Sequence, residues 1–326
     1  MIKTLWRIAV AATALAITAA TPAAAQNYPN KPIRVIIPGP AGGFPDVITR
    51  RIAIGASATM GQPWIIENRP GANFIPAAEA CRHSKGDGYT LCVFTTSTLT
   101  FNPFLIDNLP YDPDRDFKPI VNLGAFVGGL VASPKLPVKT FEELRAYALA
   151  NPGKLNFGTF GPASSANVFR RYLADRWGAD IVEVAYKGSN ELVAALVNNE
   201  IQLTWTALGN WADNPNDSKG KILTMDGSRR SPKIPNVPTY EETGIVGYPI
   251  ITWMGLFAPA GTPDAIVAQV NEAVSKSIND PQTTAFLVDQ MIEPRVTNAD
   301  VFTKTIAKER QETGDILHKF KIPKLQ

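Results

Sequence analysis

Only two cysteines and two histidines occur in the 326 residues. That is too few for a zinc cluster or a cysteine-rich scaffold. Charge of one sign is also lacking: 32 Lys and Arg face 29 Asp and Glu, a formal net charge of +3. Lys3 and Arg7 stand in an acid-free leader, so the remainder is close to neutral. A near-neutral chain offers no electrostatic case for nucleic acid or for an anionic membrane. No apolar run reaches the ~20 residues that span a bilayer. Catalytic signatures are missing as well. There is no G-x-S-x-G, no H-E-x-x-H and no histidine beside a candidate nucleophile; His83 and His318 lie in polar surroundings. Neither G-x-G-x-x-G nor G-x-x-x-x-G-K-[ST] is present, so no nucleotide cofactor is indicated. These absences argue against an enzyme and predict no cofactor and no metal.

With 45% hydrophobic residues, the chain has ample apolar surface for one large or two ordinary domains. Residues 1–25 read as a secretory signal: Lys3 and Arg7 form a basic start, Ile8 to Ala20 is apolar, and Ala23, Ala24 and Ala25 supply a cleavage site. Export with cleavage near Ala25 places the mature protein outside the cytoplasm. Cys81 and Cys92 then meet an oxidising compartment. They flank a helix–turn–strand unit, which predicts a disulfide; two small buried residues are the alternative.

Short β-branched runs alternate with helical patterns. Strands are expected at 33–37, 64–67, 89–95, 156–160, 181–186, 201–207 and 249–258. Helices are expected at 46–60, 74–82, 140–150, 164–177, 190–198, 263–279, 282–290 and 299–319. Alternation of this kind implies mostly parallel sheets flanked by helices. The late helical tail suggests a return to the first unit, with crossings near 118–131 and 247–256. The expected division is 1–25 as signal, 26–124 with 250–326 as the first lobe, and 125–249 as the second. The gap between two such lobes is where ligands bind.

Three strand-to-helix segments carry candidate chemistry. The first is Pro38-Gly39-Pro40-Ala41-Gly42-Gly43-Phe44-Pro45-Asp46. Its glycines permit close backbone approach, and a helix start offers free amides to an anion; Asp46 would cap the helix or fix the loop. The second is Gly158-Thr159-Phe160-Gly161-Pro162-Ala163-Ser164-Ser165, with Ser164 as a natural cap. The third is Thr95-Thr96-Ser97-Thr98. Each taken alone can equally be a ligand-free turn. Aromatics are dense nearby: Phe44, Phe101, Phe160, Trp205, Trp211 and Trp253.

A set of ordered motifs points to one family. They include Tyr28-Pro29-Asn30-Lys31-Pro32-Ile33, the Ala41-Gly42-Gly43…Asp46 loop, Glu67-Asn68-Arg69-Pro70-Gly71-Ala72 and Asp87-Gly88-Tyr89-Thr90-Leu91. Leu109-Pro110-Tyr111-Asp112, Tyr186-Lys187-Gly188-Ser189, Ile234-Pro235-Asn236-Val237-Pro238-Thr239 and Ala258-Pro259-Ala260-Gly261-Thr262-Pro263 continue the series. Across nearly the whole mature chain the sequence resembles the periplasmic substrate-binding proteins of tripartite tricarboxylate transporters, the Bug family. The resemblance implies a two-lobed α/β periplasmic-binding-protein (Venus-flytrap) fold, no catalysis, and a small carboxylate held by backbone amides at the loops 38–46 and 159–165. It also implies membrane transporter subunits as partners and a periplasmic monomer.

The candidate ligand-binding residues are Pro40, Ala41, Gly42, Gly43, Phe44 and Asp46 of the first loop and Thr159, Phe160, Gly161, Ser164 and Ser165 of the second, both carried over from the family, together with Thr96 and Ser97 of the third segment and Trp205 and Thr206 among the nearby rings and hydroxyls. The chain departs from the family pattern at Gly39, Asn167 and Thr206, where bulkier or ionisable residues are common. With the nearby rings, this predicts a di- or aromatic carboxylate, terephthalate-like compounds among them, in preference to citrate. Arg69 and Lys187 are the only basic candidates near the loops. A ligand sensor for a two-component signalling system uses the same fold and is the alternative; a secreted enzyme on that fold is the more distant one.

Overall fold

The computed structural model describes residues 28–211, 217–227, 229–245, 252–319 and 324. The signal segment, its cleavage site and the start of the strand expected from residue 249 lie outside the described residues.

The first sheet has six strands, β1 (Ile33–Ile37), β2 (Trp64–Asn68), β3 (Thr90–Thr95), β4 (Phe117–Phe126), β10 (Thr252–Pro259) and β11 (Ile292–Glu293). Their order is β11-β4-β10-β3-β1-β2. The second sheet comprises β5 (Gly128–Ala132), β6 (Leu155–Thr159), β7 (Ile181–Ala185), β8 (Leu203–Ala207) and β9 (Lys221–Met225), in the order β7-β6-β8-β5-β9. Each sheet and its helices form one lobe.

Parallel pairing holds where a helix links the strands: β2 and β3 flank β1, and β7 and β8 flank β6. The strands β4, β5, β9, β10 and β11 pair antiparallel, so both sheets are mixed. The reason is topological. β4, β5 and β10 adjoin the crossings between lobes and enter each sheet against the direction of its βαβ core.

Helices follow local rules. α1 (Phe44–Met60) opens with Pro45 in its first turn. α2 (Ile75–Arg82) precedes the turn into β3, and the short α3 (Asn102–Leu105) follows β3. Thr140 caps α4 (Phe141–Ala150) by accepting from the Glu143 amide at 3.1 Å. Ser164 caps α5 (Ser165–Trp177) by accepting from the Asn167 amide at 3.3 Å. α6 (Ser189–Asn198), α7 (Asp264–Asn279), α8 (Pro281–Asp289) and α9 (Ala299–Lys319) complete the set. Cys81 on α2 and Cys92 on β3 form a disulfide, with Cα atoms 6.1 Å apart.

The helix α9 packs against both lobes. Phe302 and Ile306 pack with Trp253 and Phe257 of the first lobe. Ile316 and Leu317, farther along, share an apolar cluster with Phe157 and Phe169 of the second.

The chain passes from the first sheet to the second at Val127. Its amide donates to the Met291 carbonyl at 3.0 Å, and its carbonyl accepts from Leu208 at 2.9 Å. Gly128 must be a glycine there: a Cβ would lie 2.1 Å from Cζ2 of Trp205. Asp226 clasps the same point. Its carboxylate accepts the Gly128 amide at 2.9 Å, and its own amide donates to the Gly128 carbonyl at 2.8 Å.

Candidate functional site

A cavity of about 70 Å³ lies between the lobes. Three helices from both lobes point their N-termini at it. Phe44 and Pro45 begin α1, Ser165 begins α5, Gly188 and Ser189 begin α6, and all five residues line the cavity. A helix N-terminus carries partial positive charge and orphan amides. The positive field therefore comes from backbone alone, since no lining residue among those described bears a charged side chain. Residues 246–251, which lead into Thr252, contain no charged residue in sequence either.

The first turns exchange partners across the cleft. The Phe44 amide donates to Ser189 Oγ at 3.3 Å, and the Ser165 amide donates to Ser97 Oγ at 3.2 Å. Each lobe thus lends a serine to the other lobe's helix. A hydroxyl that accepts from an amide still has its own proton to donate.

Asn73 provides a third bridge. It follows β2 with φ at 53°, and Phe74 follows at 61°. Asn can adopt this left-handed region; for a bulky Phe it is strained. The Asn73 amide donates to the Phe160 carbonyl at 3.0 Å, and its side-chain oxygen accepts from the Ala163 amide at 2.9 Å. Gly161, at φ 113°, makes room, because a Cβ there would sit 2.4 Å from Asn73 Oδ1. The Phe74 and Phe160 rings meet across the cleft with centroids 6.0 Å apart.

Of the residues singled out from sequence, Pro40, Phe44, Ser97, Phe160, Ser165, Trp205 and Thr206 line the cavity. Ala41, Gly42, Gly43, Asp46, Thr96, Thr159, Gly161 and Ser164 are not among the lining residues. Several of these hold the loops in shape. Asp46 accepts from the Gly42 amide at 2.8 Å, from Arg50 at 2.9 Å and from Asn68 at 3.1 Å. Burial pushes its carboxyl up, but Arg50, the Gly42 amide and Asn68 outweigh this and hold it below the usual range. The Gly161 amide donates to Thr159 Oγ1 at 3.1 Å, and the Phe160 amide to Ser164 Oγ at 3.3 Å. Many loop amides expected to meet a carboxylate thus have protein partners, and hydroxyl-bearing residues line the cavity beside them.

Neither basic candidate lines the cavity: Arg69 pairs with Glu67 at 2.5 Å, and Lys187 is exposed. Phe101, Trp211 and Trp253 are core residues. Sequence reasoning missed Phe74, Thr95, Phe126, Ser189, Thr252 and Met254 in the lining. Two of these lay inside quoted motifs: Thr95 opened the third segment and Ser189 closed Tyr186-Lys187-Gly188-Ser189. Among the described residues no group of histidine, cysteine and carboxylate side chains could hold a metal ion.

Two α/β lobes, joined by crossing strands and closed over an interlobe cavity, define a bilobal solute-binding protein. The model for the tripartite tricarboxylate transporter family receptor matches residues 48–322, and the chain belongs to that family. It is a receptor rather than an enzyme. A curated Cupriavidus necator relative, a UPF0065 protein in the gbd 5′ region, is 34% identical over 97% of this chain and 96% of its own length. A solved periplasmic transporter is 33% identical with a TM-score of 0.86, covering 91% of this chain and 99% of its own. MatC from Rhodopseudomonas palustris, solved with bound malate, is 30% identical with a TM-score of 0.84, covering 89% and 100%. An R. palustris protein solved with adipate is 26% identical with a TM-score of 0.86, covering 91% and 100%.

Proposed function

We propose that this periplasmic receptor captures a small organic carboxylate between its lobes and presents it, closed, to the membrane subunits of a tripartite tricarboxylate transporter. The observation that carries the reading is the convergence of three helix N-termini and cross-lobe serines on one cavity. Such an arrangement suits an anion without needing a cationic side chain. The malate and adipate bound by the two R. palustris relatives are both carboxylates, in keeping with this chemistry.

Closure follows from the same contacts. Each lobe supplies only part of the hydrogen-bond shell, so a ligand that touches both favours the closed state. We assign the first lobe to residues 26–124 and 250–326 and the second to 125–249; the end of β4 at Phe126 and the start of β5 at Gly128 support a crossing close to that boundary. A leader cleaved near Ala25 and a monomeric mature protein belong to the same proposal.

Native mass spectrometry of freshly purified protein, followed by a thermal-shift screen of mono-, di- and aromatic carboxylates, tests the reading. A bound carboxylate raises Tm by mass action. A panel in which no carboxylate moves Tm, with none found in the native spectrum, would overturn it.

A further inference from the structure

Thr95 and Thr252 are buried, at 6% and 2% exposure, and neither hydroxyl has a hydrogen-bond partner among the described residues. Both line the interlobe cavity. They share one face of the first sheet, because Thr95 stands opposite Met254 in the β3–β10 pair and Thr252 lies two residues from Met254. Buried hydroxyls are nearly always paired in folded proteins. Two orphans on one wall of a cavity mark the place where a ligand's oxygen completes the site.

From this we infer that the ligand is a monocarboxylate with an uncharged, largely apolar remainder, and that Thr95 and Thr252 are specificity-determining residues. The inference rests on the carboxylate reading above. Two observations support it beyond the orphan hydroxyls.

The first is the supply of donors. Ser97 and Ser189 each accept a backbone amide from the opposite lobe and have no acceptor for their own proton among the described residues. Thr95 and Thr252 stand with them in the lining, and a carboxylate has about four lone-pair positions for hydroxyl donors.

The second is the absence of a counter-charge for a second anion. Beside the hydroxyl-bearing residues, the lining includes the apolar side chains Phe44, Phe74, Phe126, Phe160 and Met254 and no charged one. The charged side chains of the flanking loops are already paired or exposed: Asp46 pairs with Arg50, Arg69 pairs with Glu67, and Lys187 is exposed. Burying an unpaired carboxylate against rings is strongly unfavourable. An alkyl or aryl group is favoured there in proportion to the area it hides. The cavity of about 70 Å³ also limits the occupant to a small acid unless the lobes part.

Calorimetric titration of the mature protein with length-matched pairs tests this: butanoate against succinate, hexanoate against adipate, and benzoate against terephthalate. The monoacid of the pair that fits best is expected to bind at least about tenfold more tightly than its diacid. Thr95→Val and Thr252→Val are each expected to weaken that monoacid about tenfold, with Tm unchanged or raised, because valine removes a buried orphan hydroxyl. A diacid that equals or outbinds its monoacid overturns the single-charge inference and leaves the carboxylate reading standing. Unaltered monoacid affinity in both valine variants overturns the role of the threonines. Failure of every probe, mono- and diacid alike, overturns the carboxylate reading and this inference with it.

Discussion

Ser165 donates its backbone amide to the hydroxyl of Ser97 at 3.2 Å, across the cleft and 68 residues away in sequence. Ser165 opens α5 in the second lobe; Ser97 follows β3 in the first. The Phe44–Ser189 pair repeats the relationship in the opposite sense. Neither helix start is therefore capped on that amide by its own lobe. Opening the cleft returns both amides to water, and closing it restores both bonds. Net hydrogen bonds of this kind contribute ~1 kcal/mol each, a scale that lets a ligand tip the balance between states.

Asn73 adds a cross-lobe contact of two hydrogen bonds that can be tested alone. Asn73→Gly keeps the backbone freedom that φ 53° demands but deletes the oxygen that Ala163 uses. The expected result is a more open ligand-free protein, with a larger radius of gyration in small-angle scattering and a modest loss of Tm. Asn73→Ala loses the same bond and adds strain at positive φ, so its Tm should fall further, by ~1 kcal/mol or more of stability. Identical scattering from wild type and Asn73→Gly would show that the contact does not hold the lobes.

Asp226 gives the crossing a pH dependence. Burial pushes its carboxyl up to about 8, against the opposing effects of the Gly128 amide and of Arg295. An unfolded Asp titrates near ~3.9. Between these values the folded chain holds a proton that the unfolded chain has released, so stability falls as pH rises from roughly 4 to about 8. The slope approaches ~1.4 kcal/mol per pH unit for one proton. Asp226→Asn retains an acceptor for Gly128 and removes the titration. Chemical denaturation from pH 5 to 8 should show the variant with a flatter profile and a gain over wild type that grows with pH. Parallel profiles would refute the assignment.

The disulfide ties the end of α2 to β3 across 11 positions of sequence. Closing a loop of that length restricts the unfolded chain by ~3 kcal/mol in the chain-entropy model. Reduction, or the double change Cys81→Ala and Cys92→Ala, is expected to lower Tm by several degrees. Ligand affinity should remain, since neither cysteine lines the cavity. Two thiols that alkylate freely in native, unreduced protein would contradict the pairing.

Much of the framework was legible in the chain because local chemistry specifies it. Ser164 and Thr140 cap the helices that follow them, and the β-branched run Ile33–Ile37 forms β1. The Gly/Pro composition of 38–46 marked a strand-to-helix turn, five residues of which line the cavity: Pro38, Gly39, Pro40, Phe44 and Pro45. What was hidden depends on register and on distant partners. Nothing local to Thr252 reveals that Met254 faces Thr95, which brings the two threonines to one wall. Asn73 looks like part of an ordinary loop until Ala163, 90 residues later, donates to it. The loop amides were expected to wait for a ligand. Their actual partners are Asp46, Thr159, Ser164 and side chains of the opposite lobe, which the one-dimensional pattern cannot show.

The uncharged lining has a consequence for the setting in which the receptor works. Attraction between fixed ionic side chains and a solute decays over a Debye length that shrinks from ~30 Å to ~8 Å between dilute and physiological salt. In the proposed binding mode the anion meets hydroxyls and helix ends at contact distance, in a cavity between the lobes whose described lining carries no ionic side chain. On that reading, retention of the cargo is decoupled from the salinity outside the cell, and ligand affinity measured from dilute to physiological salt is expected to stay nearly constant.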